Sequence, residues 1–480
     1  MVDYLDIPSP LKILVALPER VPAAVKAIFK PSPEKPSVGQ AGKQPGEVVL
    51  VGGEDQYTAI VSLGAQSKRT AETFRQAGGG LVRWLKQTNT PTIDIDLAGL
   101  EDSSVPDALS ALCEGLFLGS FQFNRRKSKS DPVMDTQVVL RGANNPARAA
   151  GIVAHAQALT SAVNMARDWS HEPPNVINPI TLAERAATVA ASYGLKCTIL
   201  DDSTLAKMNA GAILSVGKGS ATPSRMIILE YPGHNPAKDA QPVVLVGKAI
   251  TFDTGGYSLK STDNIQGMKY DKSGGLAVIA ALRAAAELQI TSPVIGIISA
   301  AENKISGGSY LPDDIITTLS GITVEIISTD AEGRLVLADA LTYAQNNYAP
   351  KAMIDLATLT GGVVVALGHV RAGMMTNNSD LAQKLMQSGD RTYERLWQLP
   401  LDEEYGELIK SKDADIKNGG GRAAHSIMGG MFLKKFVADE VPWAHLDIAG
   451  MADTEKPLPY CPEGGTGFGV RLLIDYLENL

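Results

Sequence analysis

Residues Val246–Asp271, VGKAITFDTGGYSLKSTDNIQGMKYD, decide the fold of this chain and locate its chemistry. The stretch opens at the end of an apolar run, Val243–Val246, and passes directly into charge. Lys248, Asp253, Lys260 and Asp271 follow one another, with Gly255-Gly256 between them. A short continuous run of Val and Leu reads as a strand covered on both faces. Asp271 stands just before Ser273-Gly274-Gly275, which opens a helical pattern over Gly274–Leu288. Strand, charged turn and helix form the unit of a parallel α/β sheet, whose ligands bind beyond the carboxyl ends of the strands.

A second stretch, Ser328–Arg334 (STDAEGR), adds Asp330, Glu332 and Arg334. Read as extended, with a helix from near Ala338, it points these alternating side chains to one side. Asp253, Asp271, Asp330 and Glu332 offer up to four negative charges, matching two divalent cations held by oxygen. Three cysteines and no HExxH argue against a zinc site of thiolates or paired histidines. Taken singly, each residue has an ordinary explanation. An Asp before Gly makes a turn or a helix cap, and a lysine closing a strand at Val243–Val246 faces solvent. Taken together those explanations fail, because four acids at one end of a sheet repel unless cations are present. Lys248 as a ligand must lose its proton, which two adjacent dications favour by depressing its pKa. The neighbouring glycines let backbone approach an ion without a Cβ in the way.

Working outward, the apolar runs Val294–Ser299 and Met353–Leu356 read as further buried strands. Helical segments at Ala338–Asn346 and Asp380–Ser388 separate the later ones. The first part of the chain also alternates. Gly46–Val51, Tyr57–Leu63 and Thr92–Leu97 read as strands, Thr70–Thr88 and Asp107–Phe121 as helices, and Pro31–Gly46 as a surface loop. Asn145–Asp168 is alanine-rich with helical spacing and stops at Pro173-Pro174. The expected organisation is α/β in two domains. A small amino-terminal α/β (macro-like) domain covers 1–144, a linker helix 145–172, and a larger domain with a central, mostly parallel sheet flanked by helices 173–480.

The 480 residues are 44% hydrophobic and 20% charged, ordinary for a globular protein. A net charge of -8 argues against a nucleic-acid partner held through phosphates. No apolar stretch reaches the roughly 18–20 residues of a membrane span, and acids precede the first apolar run, the wrong order for a secretory signal. Cys113, Cys197 and Cys461, odd in number and far apart, read as reduced thiols, so a cytoplasmic location is expected. Gly211–Gly219 resembles a phosphate-binding loop but has the wrong spacing, and Gly464–Gly469 lacks GxGxxG. Arg125-Arg126-Lys127 reads as a solvated face, and His445 as a core histidine.

VGKAITFDTGGYSLK, MKYDKSGG and STDAEGRLVLADAL resemble the signature segments of the leucyl (cytosol) aminopeptidase family, dinuclear metallopeptidases. RDWSHEPPNVINP, DLATLTG, SKDADIKN, PWAHLDIAG and GGTGFGVRLL extend the resemblance over essentially all of 160–480. The resemblance implies hydrolysis of an amino-terminal residue, with Leu, Met or a similar apolar side chain preferred, by a water activated between two divalent ions. It implies Zn²⁺ or Mn²⁺, with Mg²⁺ or Co²⁺ as alternatives. One metal site would use Lys248, Asp253, Asp271 and Glu332, the other Asp253, Asp330 and Glu332, the ions lying roughly 3–4 Å apart. Lys260 would stabilise the oxyanion, and Arg334, with the Leu359 backbone, would seat a bicarbonate that passes a proton. Met268, Thr358, Leu359, Gly361, Ala449 and Ala452 would line the substrate site. A homohexamer acting on peptides is implied as well. The alternatives are a narrow dipeptidase (such as Cys-Gly) and a catalytically silent binding or structural relative.

Five places depart from the family pattern: Ala249, Thr254, Lys272-Ser273, Ser328, and His425 within Arg422–Gly430. Lys272 is expected either to weaken metal binding slightly or to face solvent. His425 is expected either to narrow the substrate channel or to sit on the surface at a helix start.

Overall fold

In the computed structural model, residues 11–15, 25–30, 44–53, 56–97, 100, 105–129 and 135–480 are described. They form two compact units. One contains residues 165–453 and 465–480, the other the described residues before 165 together with 454–464. The helix Pro146–His171 runs across that division in sequence. Of the loop expected over Pro31–Gly46, residues 31–43 lie outside the described residues.

The amino-terminal unit is built on six strands: β1 (Leu11–Val15), β2 (Val25–Lys30), β3 (Val48–Gly53), β4 (Gln56–Ser62), β5 (Thr92–Asp96) and β6 (Thr136–Arg141). Their order is β1-β6-β5-β2-β4-β3, parallel except for the β3–β4 pair. The helices Ala71–Thr88 and Ala108–Ser120 follow β4 and β5. Asn89, at φ 50°, ends the first in the left-handed conformation that Asn tolerates. Arg75 is buried between Glu72 (2.7 Å) and Glu114 (2.9 Å), and Tyr460 Oη donates to Glu72 at 3.1 Å. This shared charge cluster fastens 454–464 to a unit formed some 300 residues earlier, a contribution that strand and helix patterning does not display.

The larger unit carries an eight-stranded sheet. Its strands are β7 (Lys196–Leu200), β8 (Arg225–Tyr231), β9 (Val243–Asp253), β10 (Val294–Asn303), β13 (Ala352–Ala357), β14 (Ala372–Thr376), β15 (Leu396–Gln398) and β17 (Trp443–Asp447). The short strands β11 (Ile315–Thr317), β12 (Thr323–Glu325) and β16 (Ile416–Lys417) form a separate three-stranded sheet. The large sheet runs β15-β14-β17-β13-β9-β10-β8-β7. The central four are parallel, and antiparallel pairs, β14–β17 and β10–β8, join the outer strands to them. Every residue of β10, β13 and β17 is buried, as continuous apolar runs require. Helices Ser273–Glu287 and Glu332–Asn347 connect the parallel strands.

Two local expectations need correction. β9 does not close at Val246. It continues to Asp253 because β10 goes on pairing with it, in one register from Val294↔Val243 to Ala301↔Ile250 and, past a bulge, at Asn303↔Asp253. β13, its other neighbour, pairs only as far as Gly247, so Lys248 is the first residue released on that side. The helix expected near Ala338 begins at Glu332. Asp330 therefore lies in a turn, while Glu332 and Arg334 belong to the first helical turn. An acidic residue there complements the helix dipole.

One buried acid has a structural duty. Asp339 accepts the amides of Ile213 (2.9 Å) and Leu319 (2.8 Å), and burial pushes its pKa up to about 7 against the pull of those amides. Asp339→Ala is expected to lower unfolding stability by about 3 kcal/mol, since two buried N–H groups lose their acceptor. Urea denaturation checks this. Because its folded pKa is raised, Asp339 binds a proton in the folded chain before the unfolded one. Its contribution to stability therefore grows as pH falls from about 7 toward its ordinary value near 4.

Candidate metal centre

The carboxyl ends of β9 and β10, the turn at 268–272 and the turn before the helix Glu332–Asn347 bring the two signature stretches together. Lys248, on β9, extends its Nζ to Asp271 Oδ1 (2.8 Å), Glu332 Oε1 (2.9 Å) and the Thr358 carbonyl (2.8 Å). Asp253, which ends the same strand, receives Lys260 Nζ at 2.8 Å on Oδ2. Lys260 also contacts Asp330 Oδ1. Asp253, Asp330 and Glu332 each place a carboxylate oxygen within 4.8 Å of the others. Lys248, Asp253, Asp271, Glu332 and Arg334 are all buried, whereas Asp330 is open to solvent and marks the accessible side.

Four carboxylates and two ammonium groups gathered at one place, most of them buried, shift one another. Burial and the charges of Glu332 and Asp271 push Asp253 up to about 8, and burial lifts Asp271 to about 6 against Lys248. Burial also works against the charge on Lys248 and Lys260, but the surrounding acids outweigh it and hold both above the ordinary lysine range. Burial opposes the charge on Glu332 too; Lys248 and Lys260 overcome it and keep that carboxyl below its usual range. The cluster thus has more acid than its own lysines neutralise.

The donor set fits divalent cations. Asp271 Oδ2, Glu332 Oε2 and Asn303 Oδ1 are buried with no hydrogen-bond partner, and a buried carboxylate oxygen left unmatched is costly. Carboxylate oxygens with one amine suit Zn²⁺, Mn²⁺, Mg²⁺ or Co²⁺. Arg334 donates Nη1 to the Asn418 carbonyl (2.8 Å) and lies 5.9 Å from the Phe432 ring centre, while its Nε is buried without a partner. Burial draws its pKa down to about 10, which still leaves it cationic at neutral pH.

Room for Lys248 depends on Gly333. A Cβ at that position would lie 2.7 Å from both Nζ and Cε of Lys248. Gly333→Ala is expected to displace the lysine, and with it to reduce metal content and turnover by about tenfold or more, although alanine favours the helix. Metal analysis alongside an activity assay checks this.

The remaining expected residues are placed as follows. Thr358 donates Oγ1 to Asp271 Oδ1 (2.6 Å), so it touches the acid cluster directly. The Leu359 amide, expected to help seat an anion, is donated to Asp447 Oδ1 at 3.1 Å. Met268 and Ala449 are half-buried, Gly361 is exposed, and Ala452 is only 2% exposed, leaving it little surface for a substrate. His425 begins the helix His425–Lys434, half-buried, with its Cβ 2.9 Å from where a Cβ on Gly362 would stand. His445 is fully buried, with Nδ1 at 2.5 Å from Asp355 Oδ1 and Nε2 without a partner. Lys272 does not face solvent: it is wholly buried against main-chain carbonyls. Burial and the charge on Lys269 draw its pKa down to about 7, whereas three carbonyl acceptors favour its ammonium form.

Three residues not singled out from the sequence organise the site. Asn303, at the end of β10, donates Nδ2 to Asp253 Oδ1 (2.8 Å) and to the Thr329 carbonyl (2.9 Å), tying the two ligand segments together. Asn418 accepts the Ile327 and Ser328 amides and donates to the Ser328 carbonyl (2.7 Å). Asp447 accepts from Leu359, Thr360 and Ala449, shaping the loop beside Lys248. Polar residues at the ends of apolar strands were the available signal for Asn303 and Asp447.

Comparison with known proteins agrees with this geometry. Residues 164–474 match the model for the catalytic domain of the cytosol aminopeptidase family, and residues 45–130 its N-terminal domain. A probable cytosol aminopeptidase of Geobacter sulfurreducens is 45% identical over 425 residues, 87% of this chain and 84% of that protein. One from Syntrophotalea carbinolica is 43% identical over 431 residues, 88% and 85%. The solved structure of the bottromycin maturation enzyme BotP, also determined in complex with Mn, superposes with a TM-score of 0.86 at 35% identity, covering 95% of this chain and 99% of that one. Sheet, acid cluster and sequence agree: the chain belongs to the cytosol aminopeptidase family, whose members are metal-dependent hydrolases.

Proposed function

We propose that this protein removes the amino-terminal residue, with Leu, Met or a similar apolar side chain preferred, from peptides in the cytoplasm. The observation that carries this reading is the cluster of buried Lys248, Asp253, Asp271 and Glu332 with exposed Asp330 at its edge, in which Asp271 and Glu332 keep carboxylate oxygens that no protein donor reaches. Lys248, Asp253, Asp271 and Glu332 would hold one divalent ion, and Asp253, Asp330 and Glu332 a second, the Asp330 carbonyl within reach. Bound there, such ions supply Lewis acidity and a water of lowered pKa. The free α-amine of a substrate is a further ligand, which restricts cleavage to the first peptide bond.

The chain's own groups do the rest. Lys260, partly open and beside Asp253 and Asp330, donates to the oxyanion as it develops. Arg334 would hold a bicarbonate, whose chemistry is to accept and return a proton during attack and departure. Met268, Thr358, Gly361 and Ala449, small or apolar, would line the pocket for the first side chain; Ala452, only 2% exposed, would contribute backbone. The proposal includes a homohexamer, which light scattering checks; a monomer would remove that part.

The amine requirement gives the test. Leu-Gly-Gly should be cleaved with Mn²⁺ present, and N-acetyl-Leu-Gly-Gly should not. Equal rates on both would exclude an aminopeptidase. Cleavage of Cys-Gly alone, across a panel of dipeptides and longer peptides, would identify a narrow dipeptidase.

A further inference from the structure

The helix Pro146–His171 ends against two prolines, and this leaves the Ser170 carbonyl without its helical donor. In an α-helix the carbonyl of residue i accepts from the N–H of residue i+4. For Ser170 that residue is Pro174, which has no N–H. The side chain of Lys272 fills the gap. Its Nζ donates to the carbonyls of Ser170 (3.2 Å) and Glu172 (3.1 Å), and to that of Lys269 in its own turn. The residue has 0% exposure. A neutral amine offers two N–H groups and a lone pair; only an ammonium donates to three acceptors at once. Three carbonyl dipoles, two of them at the negative end of a helix, surround a positive charge as they would a small monovalent ion.

We propose that Lys272 is a tethered monovalent cation that positions Asp271, joining the end of the helix Pro146–His171 to the turn Met268–Lys272. The side chain of Asp271 is fixed by Lys248 and Thr358, and its backbone is fixed from the other direction by the next residue's ammonium. Lys272 touches no substrate and no carboxylate of the cluster, so it is a positioning residue. The inference rests on the reading of Asp271 as a metal ligand.

Two variants test it. Lys272→Ala removes the charge and leaves room; Lys272→Met removes the charge and fills the room. Each full-length protein is titrated with Mn²⁺ by calorimetry and melted in N-methylglucamine chloride, then in KCl, RbCl or methylammonium chloride at equal ionic strength. In the bulky cation, both variants should lose about tenfold or more in Mn²⁺ affinity, the range for supporting contacts to metal ligands. K⁺, Rb⁺ or methylammonium should restore most of that loss in Lys272→Ala and raise its melting midpoint. Lys272→Met and the unaltered protein should not respond. Crystals of Lys272→Ala in RbCl should show Rb⁺ among the carbonyls of Ser170, Glu172 and Lys269.

Wild-type Mn²⁺ affinity for Lys272→Ala in N-methylglucamine would overturn the proposal. So would a loss that no small cation reverses, or an Ala variant that is insoluble in every salt while Lys272→Met folds and binds Mn²⁺ normally. If the unaltered protein bound no Mn²⁺, the metal-site reading would fail instead; the cation response of the melting midpoint would still report on the carbonyl cage.

Discussion

Lys260→Ala is expected to lower turnover by about 10²–10³-fold while leaving metal content close to that of the unaltered protein. The magnitude is that of removing one oxyanion donor from a preorganised site. The position of the side chain sets the second half of the prediction. Lys260 approaches Asp253 and Asp330 from the more open side, whereas Lys248 lies buried between Asp271 and Glu332. Removing Lys260 deletes a cation from an acid-rich cluster, so divalent ions should bind at least as well. Elemental analysis and steady-state kinetics on one preparation check both halves. Loss of metal together with activity would contradict the role given to Lys260.

Asp253→Ala is expected to do the opposite: metal content should fall below one ion per chain, and turnover by at least about 10³-fold. Asp253 belongs to both proposed ion sites, and its carboxylate lies within 4.8 Å of oxygens of Asp330 and Glu332. Its removal leaves Lys260 beside Asp330 alone and deprives the Asn303 amide and the Gly255 N–H of their acceptor. The change therefore strips a ligand and loosens its supports together, the two terms that govern affinity at such sites. Titration with Mn²⁺ by calorimetry checks it. A variant that still bound two ions tightly would remove Asp253 from the bridging position.

Much of this arrangement was legible in the sequence, for physical reasons. Runs such as Val294–Ser299 and Met353–Leu356, short, continuous and apolar, suit strands covered on both faces, and they are fully buried. The acids and lysines between them were visible only as a set, because each alone has an ordinary use whereas four acids at one end of a sheet repel unless cations are present. What was not legible depended on neighbours in space. β9 runs on past Val246 because β10 pairs with it, and nothing within the run itself signals that. STDAEGR lacks an apolar period, so its helical start escaped a reading based on periodicity, although Glu332 suits a first turn. Asn303 and Asn418 lie far from each other in the chain and meet only at the loop carrying Asp330. Lys272 reads as an extra cation that either weakens metal binding slightly or faces solvent; its partners, Ser170 and Glu172, stand some 100 residues earlier. The prolines that create the need for it were in view, but their link to Lys272 was not.

The central claim is that the acid cluster holds a pair of divalent ions on which peptide hydrolysis depends. Protein stripped with a chelator should be titrated with Mn²⁺ while bound metal and release of leucine from Leu-Gly-Gly are followed together. Activity should start near zero and reach its plateau as the second ion per chain is bound. Full turnover in the stripped protein, or a plateau reached with no ion bound, would contradict the account.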